Sequence, residues 1–279
     1  MMKKHIWGLA ATAALAAMVA VPASAHRQWM LPSSTVLSGD DVWVTVDAAV
    51  SNDLFYFEHQ PLRLEGMKAW APDGSEAAIE NKATGRYRST FDVHLTQKGT
   101  WRIASVFDGV MGSYDLNGKT ERLARGTTSE NLAERIPAGA TNVKTAESNN
   151  RNEIFVTVGE PTTSLFKPTG RGIELVPVTH PNDLIAGEAA TFQFLLDGKP
   201  AAGLPVTVIP GGIRYRDQLG QMDLKTGADG KVEINWTEPG MYWLNVTTPR
   251  AEREEGEAGA PAAPQRRASY ATTLEVLAP

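Results

Sequence analysis

Apolar and polar positions alternate with a period of two along much of the chain. Val42, Val44 and Val46 are interleaved with Trp43, Thr45 and Asp47, and Phe91, Val93 and Leu95 with Asp92, His94 and Thr96. A strand sends successive side chains to opposite faces, so each run predicts a strand with one buried face. Ser38-Gly39-Asp40, Pro72-Asp73-Gly74-Ser75 and Lys98-Gly99-Thr100 supply the turns between such runs, and residues 27–110 therefore predict a sandwich of short strands.

The alternation is lost between Gly112 and Asn152, where Gly, Thr, Asn, Ala and charged residues dominate. Residues 111–152 read as a long excursion or a partly ordered connector, with a short helix around 129–135. Pattern returns at Ile154-Phe155-Val156-Thr157-Val158, which closes a first domain spanning 26–160. Residues 161–172, with Pro168 and Gly170, read as a linker. A second domain, 173–279, shows strand patterns at 173–178, 190–196, 204–209, 221–225, 232–236, 241–247 and 272–277. Within it, residues 250–267 are dense in Glu, Ala, Gly and Pro, a composition that builds no core, and strand pattern resumes after them, so they read as a flexible surface loop. The expected fold class is all-β, two β-sandwich domains in tandem with little helix.

The first 25 residues break this picture. Lys3 and Lys4 precede an apolar run from Ile6 to Val21, and Pro22-Ala23-Ser24-Ala25 ends it with small residues. This is the pattern of a cleavable secretory signal, residues 1–25, and it implies a periplasmic or secreted protein. The run is shorter than the roughly 20 apolar residues of a membrane helix, and no later stretch approaches that length.

Composition narrows the chemistry. The 254 residues left after cleavage (279 less 25) exceed a usual single domain,. Losing Lys3 and Lys4 takes the formal charge from −5 to −7, which argues against nucleic acid and anionic membrane as partners,. Cysteine is absent, so disulfides, thiolate nucleophiles and thiolate metal ligands are excluded. An imidazole site in the mature chain must draw on His26, His59, His94 and His180.

A family resemblance rests on particular strings. Asp197-Gly198-Lys199-Pro200, Ala202-Gly203, Pro205-Val206, Thr226-Gly227-Ala228-Asp229-Gly230-Lys231 and Pro239-Gly240-Met241-Tyr242-Trp243-Leu244 resemble the prealbumin-like modules of carboxypeptidase regulatory domains and surface adhesins. With Leu175-Val176-Pro177, His180-Pro181-Asn182-Asp183-Leu184 and Gly187-Glu188, and with His26 standing shortly before Trp29 and a Leu-Pro-Ser stretch, nearly all of the mature chain resembles the exported DUF4198 family. That family is commonly labelled a nickel-uptake substrate-specific component (NikM-like). The resemblance implies immunoglobulin-like or prealbumin-like sandwiches and an accessory role beside a membrane transport component, since this chain lacks the spans of a transport subunit.

Divalent nickel, copper or zinc binds imidazole and amine nitrogen well, and without thiolates a nitrogen and oxygen site is the available kind. Cleavage after Ala25 would leave His26 as the first residue, carrying a free α-amine and an imidazole on one backbone unit, a preformed chelate; the plain alternative is that His26 merely marks where cleavage falls. His59, in Phe55-Tyr56-Phe57-Glu58-His59-Gln60-Pro61, stands where an aromatic strand meets a proline, either as a rim ligand or as a strand-end residue bonded to backbone. Thus His26 and His59 are the candidate metal ligands. His94 alternates with apolar residues and is expected to face solvent; His180, before Pro181, is expected to stabilise a turn.

No catalytic constellation emerges: serines lack a nucleophile-elbow setting and phosphate-cradling glycine motifs are absent. Arg214-Tyr215-Arg216-Asp217 reads as a recognition loop or an ion-paired edge. Six mature tryptophans leave open a carbohydrate-binding reading, through indole stacked on sugar, and a structural envelope protein with no ligand is a third.

Overall fold

In a computed structural model the described residues are 26–249 and 265–279. The expected signal segment and most of the expected loop at 250–267 lie outside them.

The chain is all-β. The first half contributes β1 (Arg27–Pro32), β2 (Val36–Leu37), β3 (Val42–Ser51), β4 (Gln60–Pro61), β5 (Met67–Trp70), β6 (Glu76–Ala77), β7 (Glu80–Thr84), β8 (Ser89–Leu95), β9 (Gly99–Leu116), β10 (Lys119–Arg122) and β11 (Thr141–Val158). The second contributes β12 (Ile173–Pro177), β13 (Ala189–Leu196), β14 (Lys199–Pro200), β15 (Pro205–Pro210), β16 (Met222–Lys225), β17 (Lys231–Asn235), β18 (Gly240–Thr247) and β19 (Gln265–Val276). The second-half strands fall within a few residues of the alternating runs, except that β19 begins at Gln265, so residues 265–267 of the expected loop are strand.

Three sheets form. One, in the order β1-β3-β8-β7 with β4 beside β3, covers one side of the first core. A smaller one, β12-β13-β14 with β17 on β13, covers one side of the second. The third has ten strands, in the order β16-β15-β18-β19-β11-β9-β5-β6 with β10 beside β9 and β2 beside β11, and runs through both halves. Its centre is the parallel pairing of β11 with β19, from Ala146↔Gln265 to Glu153↔Thr272. The two sandwiches are therefore not beads on a linker. They share a sheet.

The C-terminal end of β11 explains why a single run can close both. Ile154, Val156 and Val158 point into the first core with Val44, Phe91 and Trp101, whereas Phe155 points into the second with Phe192, Trp236 and Tyr270. A strand buried on both faces needs the continuous apolar run seen there. A third cluster, Trp29, Ala49, Leu54, Ile209, Trp243 and Ala271, fills the junction.

Residues 111–152 run largely as strand. β9 and β11, 18 residues each, stay paired from Val158↔Gly99 to Thr141↔Asp115, and β10 pairs the tip. Toward that tip much of the arm is exposed or half-buried, so the backbone ladder holds it without an apolar alternation for the sequence to display. A single helical turn, Leu132–Arg135, lies in the connection. Residues 161–172 hold a 3₁₀ turn, Ser164–Phe166, whose Leu165 and Phe166 are buried.

Candidate metal site at the N-terminal rim

The end of β3 is flanked by β1 on one side and β4 on the other: Arg27 pairs with Ser51, and Val50 lies between Gln28 and Gln60. His26 precedes Arg27 and His59 precedes Gln60, so the ladder sets both histidines at the same end of the sheet. Their exposed rings meet face to face, with centroids 3.8 Å apart and planes 4° from parallel.

Neighbouring contacts hold the two segments in place. The Trp29 indole N–H donates to Ser51 Oγ at 2.7 Å, and Phe55 and Phe57 each pack 5.5 Å from Trp29. Phe55 has φ 61°, a left-handed conformation rare for a bulky residue, tolerated here where its ring lies between Trp29 and Gly211,. Glu58 Oε1 accepts the backbone N–H groups of Asn52 and Asp53 at 2.8 and 3.0 Å. Arg27 donates to the Asn52 carbonyl at 2.7 Å, and the Trp243 indole N–H donates to the Gln28 carbonyl at 3.0 Å. The loop bearing His59 and the strand bearing His26 are thus both anchored.

Stacked imidazoles are not yet a chelate. A ring nitrogen offers its lone pair in the ring plane, at about 2.0–2.1 Å from a bound zinc, so two parallel planes cannot share one ion until a ring turns. Both side chains are exposed. Among the described residues no group of three His, Asp or Glu side chains is placed to hold a metal ion. The donor set is two imidazoles, and a third nitrogen exists only if His26 carries a free amine.

The other histidines have different employment. His94 is half-buried, stacks on Trp43 with centroids 4.3 Å apart, and its Nε2 lies 2.8 Å from Asp41 Oδ1. His180 Nδ1 accepts the Asn182 backbone N–H at 3.1 Å, which leaves the proton on Nε2, facing Thr100 Oγ1 at 3.0 Å and the Thr162 carbonyl at 3.2 Å. Burial lowers its pKa from the ordinary histidine value,. It belongs to a buried chain of hydrogen bonds joining the halves: Thr100 to Thr157, Thr157 to Asn182, Asn182 to the Phe155 carbonyl. Met67 is in the first core and offers no thioether to the rim.

Sequence reasoning missed a buried charged group. Arg151 reaches Glu153 at 3.5 Å and Glu174 at 3.4 Å, and all three are nearly inaccessible. Glu174 also accepts the backbone N–H groups of Thr169 and Gly170 at 2.9 and 2.8 Å. Arg151 and Glu174 lie 23 positions apart, and no local pattern announces their pairing.

A family model described as a domain of unknown function, DUF4198, matches residues 23–250. The chain belongs to the DUF4198 family. No curated protein matches it. Among solved structures it is similar to the D0-D1 domain of intimin (12% identity, 89% of this chain and 97% of that one, TM-score 0.22) and to the human OSCAR ligand-binding domain (12% identity, 91% and 100%, TM-score 0.21). It is also similar to the D00-D0 domain of intimin (9% identity, 90% and 100%, TM-score 0.21). Likenesses at these scores add nothing to the fold described above. No helix among the described residues is long and apolar enough to cross a membrane.

Proposed function

We propose that the processed chain is an exported, non-enzymatic binding protein that takes a divalent transition metal at His26 and His59 and passes it to a membrane transport component. One observation carries this reading: two histidines 33 positions apart in sequence bring their imidazoles into contact at 3.8 Å on an exposed rim. Cleavage before His26 adds an α-amine to the same residue, and two donors on one backbone unit are ordered together, which favours binding over separate ligands. A nitrogen donor set suits nickel, copper or zinc. The family resemblance favours nickel. Elemental analysis of the natively exported, untagged protein tests the reading: bound nickel, copper or zinc supports it, and metal-free protein that also fails to take up these ions in titration ends it.

A carbohydrate-binding reading has one observation of its own. Trp43 is 41% exposed, and its ring is held parallel to His94 on the outer face of the first sheet, a flat surface of the kind that stacks on sugar rings. Retention on polysaccharide that is lost in Trp43→Ala would favour it over the metal reading.

A further inference from the structure

A polar cleft of about 180 Å³ opens on the large sheet where the β9–β11 arm leaves the second sandwich. Its floor is set by register: Asn149 lies opposite Asp108 across one pair of strands, and Glu147 opposite Arg266 across the next, so the four side chains share a face. The segment after the arm's tip folds back as one wall, with Val110 N–H donating to the Thr127 carbonyl at 2.8 Å. Gly109 permits that approach, because a Cβ there would meet the Thr127 carbonyl at 2.8 Å. The turn carrying Arg171 forms the opposite wall.

The acids and the arginines of the cleft come from different elements and face one another, Glu147 lying opposite Arg266 and Arg171 paired with Asp108. The arm side presents Asp108, Glu130 and Glu147, and the side of the second sandwich presents Arg171 and Arg266. These groups are tied by exposed pairs, Arg171 to Asp108 at 3.2 Å and Arg266 to Asp197 at 2.5 Å, and Ser129 donates to Glu147 at 2.7 Å. Exposed pairs contribute only about 0.2–1 kcal/mol each, so a ligand carrying both charges can exchange them at little cost. Asn149 is only 6% exposed, and its Oδ1 has no hydrogen-bond partner among the described residues. Nearly all of the lining is polar, so an apolar ligand gains nothing there.

We propose that this cleft binds a small zwitterion with a primary ammonium and a carboxylate, such as a free amino acid or dipeptide. The ammonium lies toward Glu147 and Glu130, and the carboxylate toward Arg171 and Arg266. A carboxylate-lined wall needs N–H donors, which a primary ammonium has and a quaternary one lacks. Guanidinium groups match a carboxylate in fork geometry.

Calorimetric titration of the exported protein, stripped of metal and kept in chelator, tests this with glycylglycine, its N-acetylated form, its C-terminal amide, and glucose. The expected result is saturable binding of glycylglycine, weakened about tenfold or more when either charge is blocked and weakened by added salt. Arg171→Gln, at an exposed position, should lose this binding, as should Glu147→Gln. His59→Ala should keep it, which separates this site from the metal rim. Absence of glycylglycine binding, equal binding of the blocked forms, or binding of glucose in its place would overturn the assignment.

Discussion

Thr35 and Glu275 lie 240 positions apart, and both the backbone N–H and the hydroxyl of Thr35 donate to a single carboxylate oxygen of Glu275, at 2.9 and 2.6 Å. The contact ties the second segment of the first sandwich to the last strand of the chain. With the shared sheet and the junction cluster around Trp29 and Trp243, it makes the halves one mechanical unit. Glu275→Ala would leave buried donors of Thr35 unpaired, at a cost of about 1–3 kcal/mol. Chemical denaturation should show one cooperative transition in both proteins, with the variant's midpoint lowered. Two separated transitions in the parent would contradict the shared-sheet account.

His180 should give the fold a pH dependence of definite sign. Its pKa is lowered by burial, so the folded state holds the neutral ring while the unfolded chain titrates at the ordinary value of about 6.5. The stabilisation is full above that value and is lost progressively as pH falls below it. Protonation would also place a proton on Nδ1, facing the Asn182 N–H. Urea midpoints measured at neutral pH and near pH 5 should therefore converge more closely in His180→Gln than in the parent. An unchanged difference would mean that other groups carry the acid sensitivity.

Arg151 is the sole cation paired with buried Glu153 and Glu174 in the observed ion pairs. Removing one partner of such a group leaves uncompensated buried charge, so Arg151→Met should cost about 3–5 kcal/mol. Adding Glu153→Met should recover part of that loss. A single variant as stable as the parent would show that water reaches the cluster.

Gly172 has φ 66°, and a Cβ there would land on Asn149 Oδ1. Gly172→Ala should destabilise by about 1–3 kcal/mol through backbone strain and overlap. Asn149→Ala in the same chain should relieve the overlap but not the strain, so thermal unfolding of the double variant should fall between the parent and the single variant.

How much of this was legible in the sequence depended on what each residue faces. The strands of the second sandwich were readable because Ala190, Phe192 and Phe194 alternate with partly exposed residues over a dry core. The distal parts of β9 and β11 were not, because much of the arm is wet, and residues such as Thr141 and Lys144, opposite Asp115 and Ser113, offer no apolar alternation to read. The parallel pairing of β11 with β19 joins segments with the whole second sandwich between them, and no local signal encodes it. At the rim, the sequence singled out His26 and His59, and the structure places their rings in contact. Their placement at one end of the sheet follows from the strand pairings around β3, which only the folded sheet reveals.

The account of function stands on the amine and imidazole of His26, so the most direct measurement moves one of them. A protein beginning at His26 and a version extended by one N-terminal glycine should be titrated with nickel and with copper, at neutral and at acidic pH. The proposal predicts tight binding by the first, weakened about tenfold or more in the second. Binding by the first should also fall in acid, because both nitrogens must lose their protons to bind. Identical titrations for the two proteins, or affinity that does not change with pH, would contradict it.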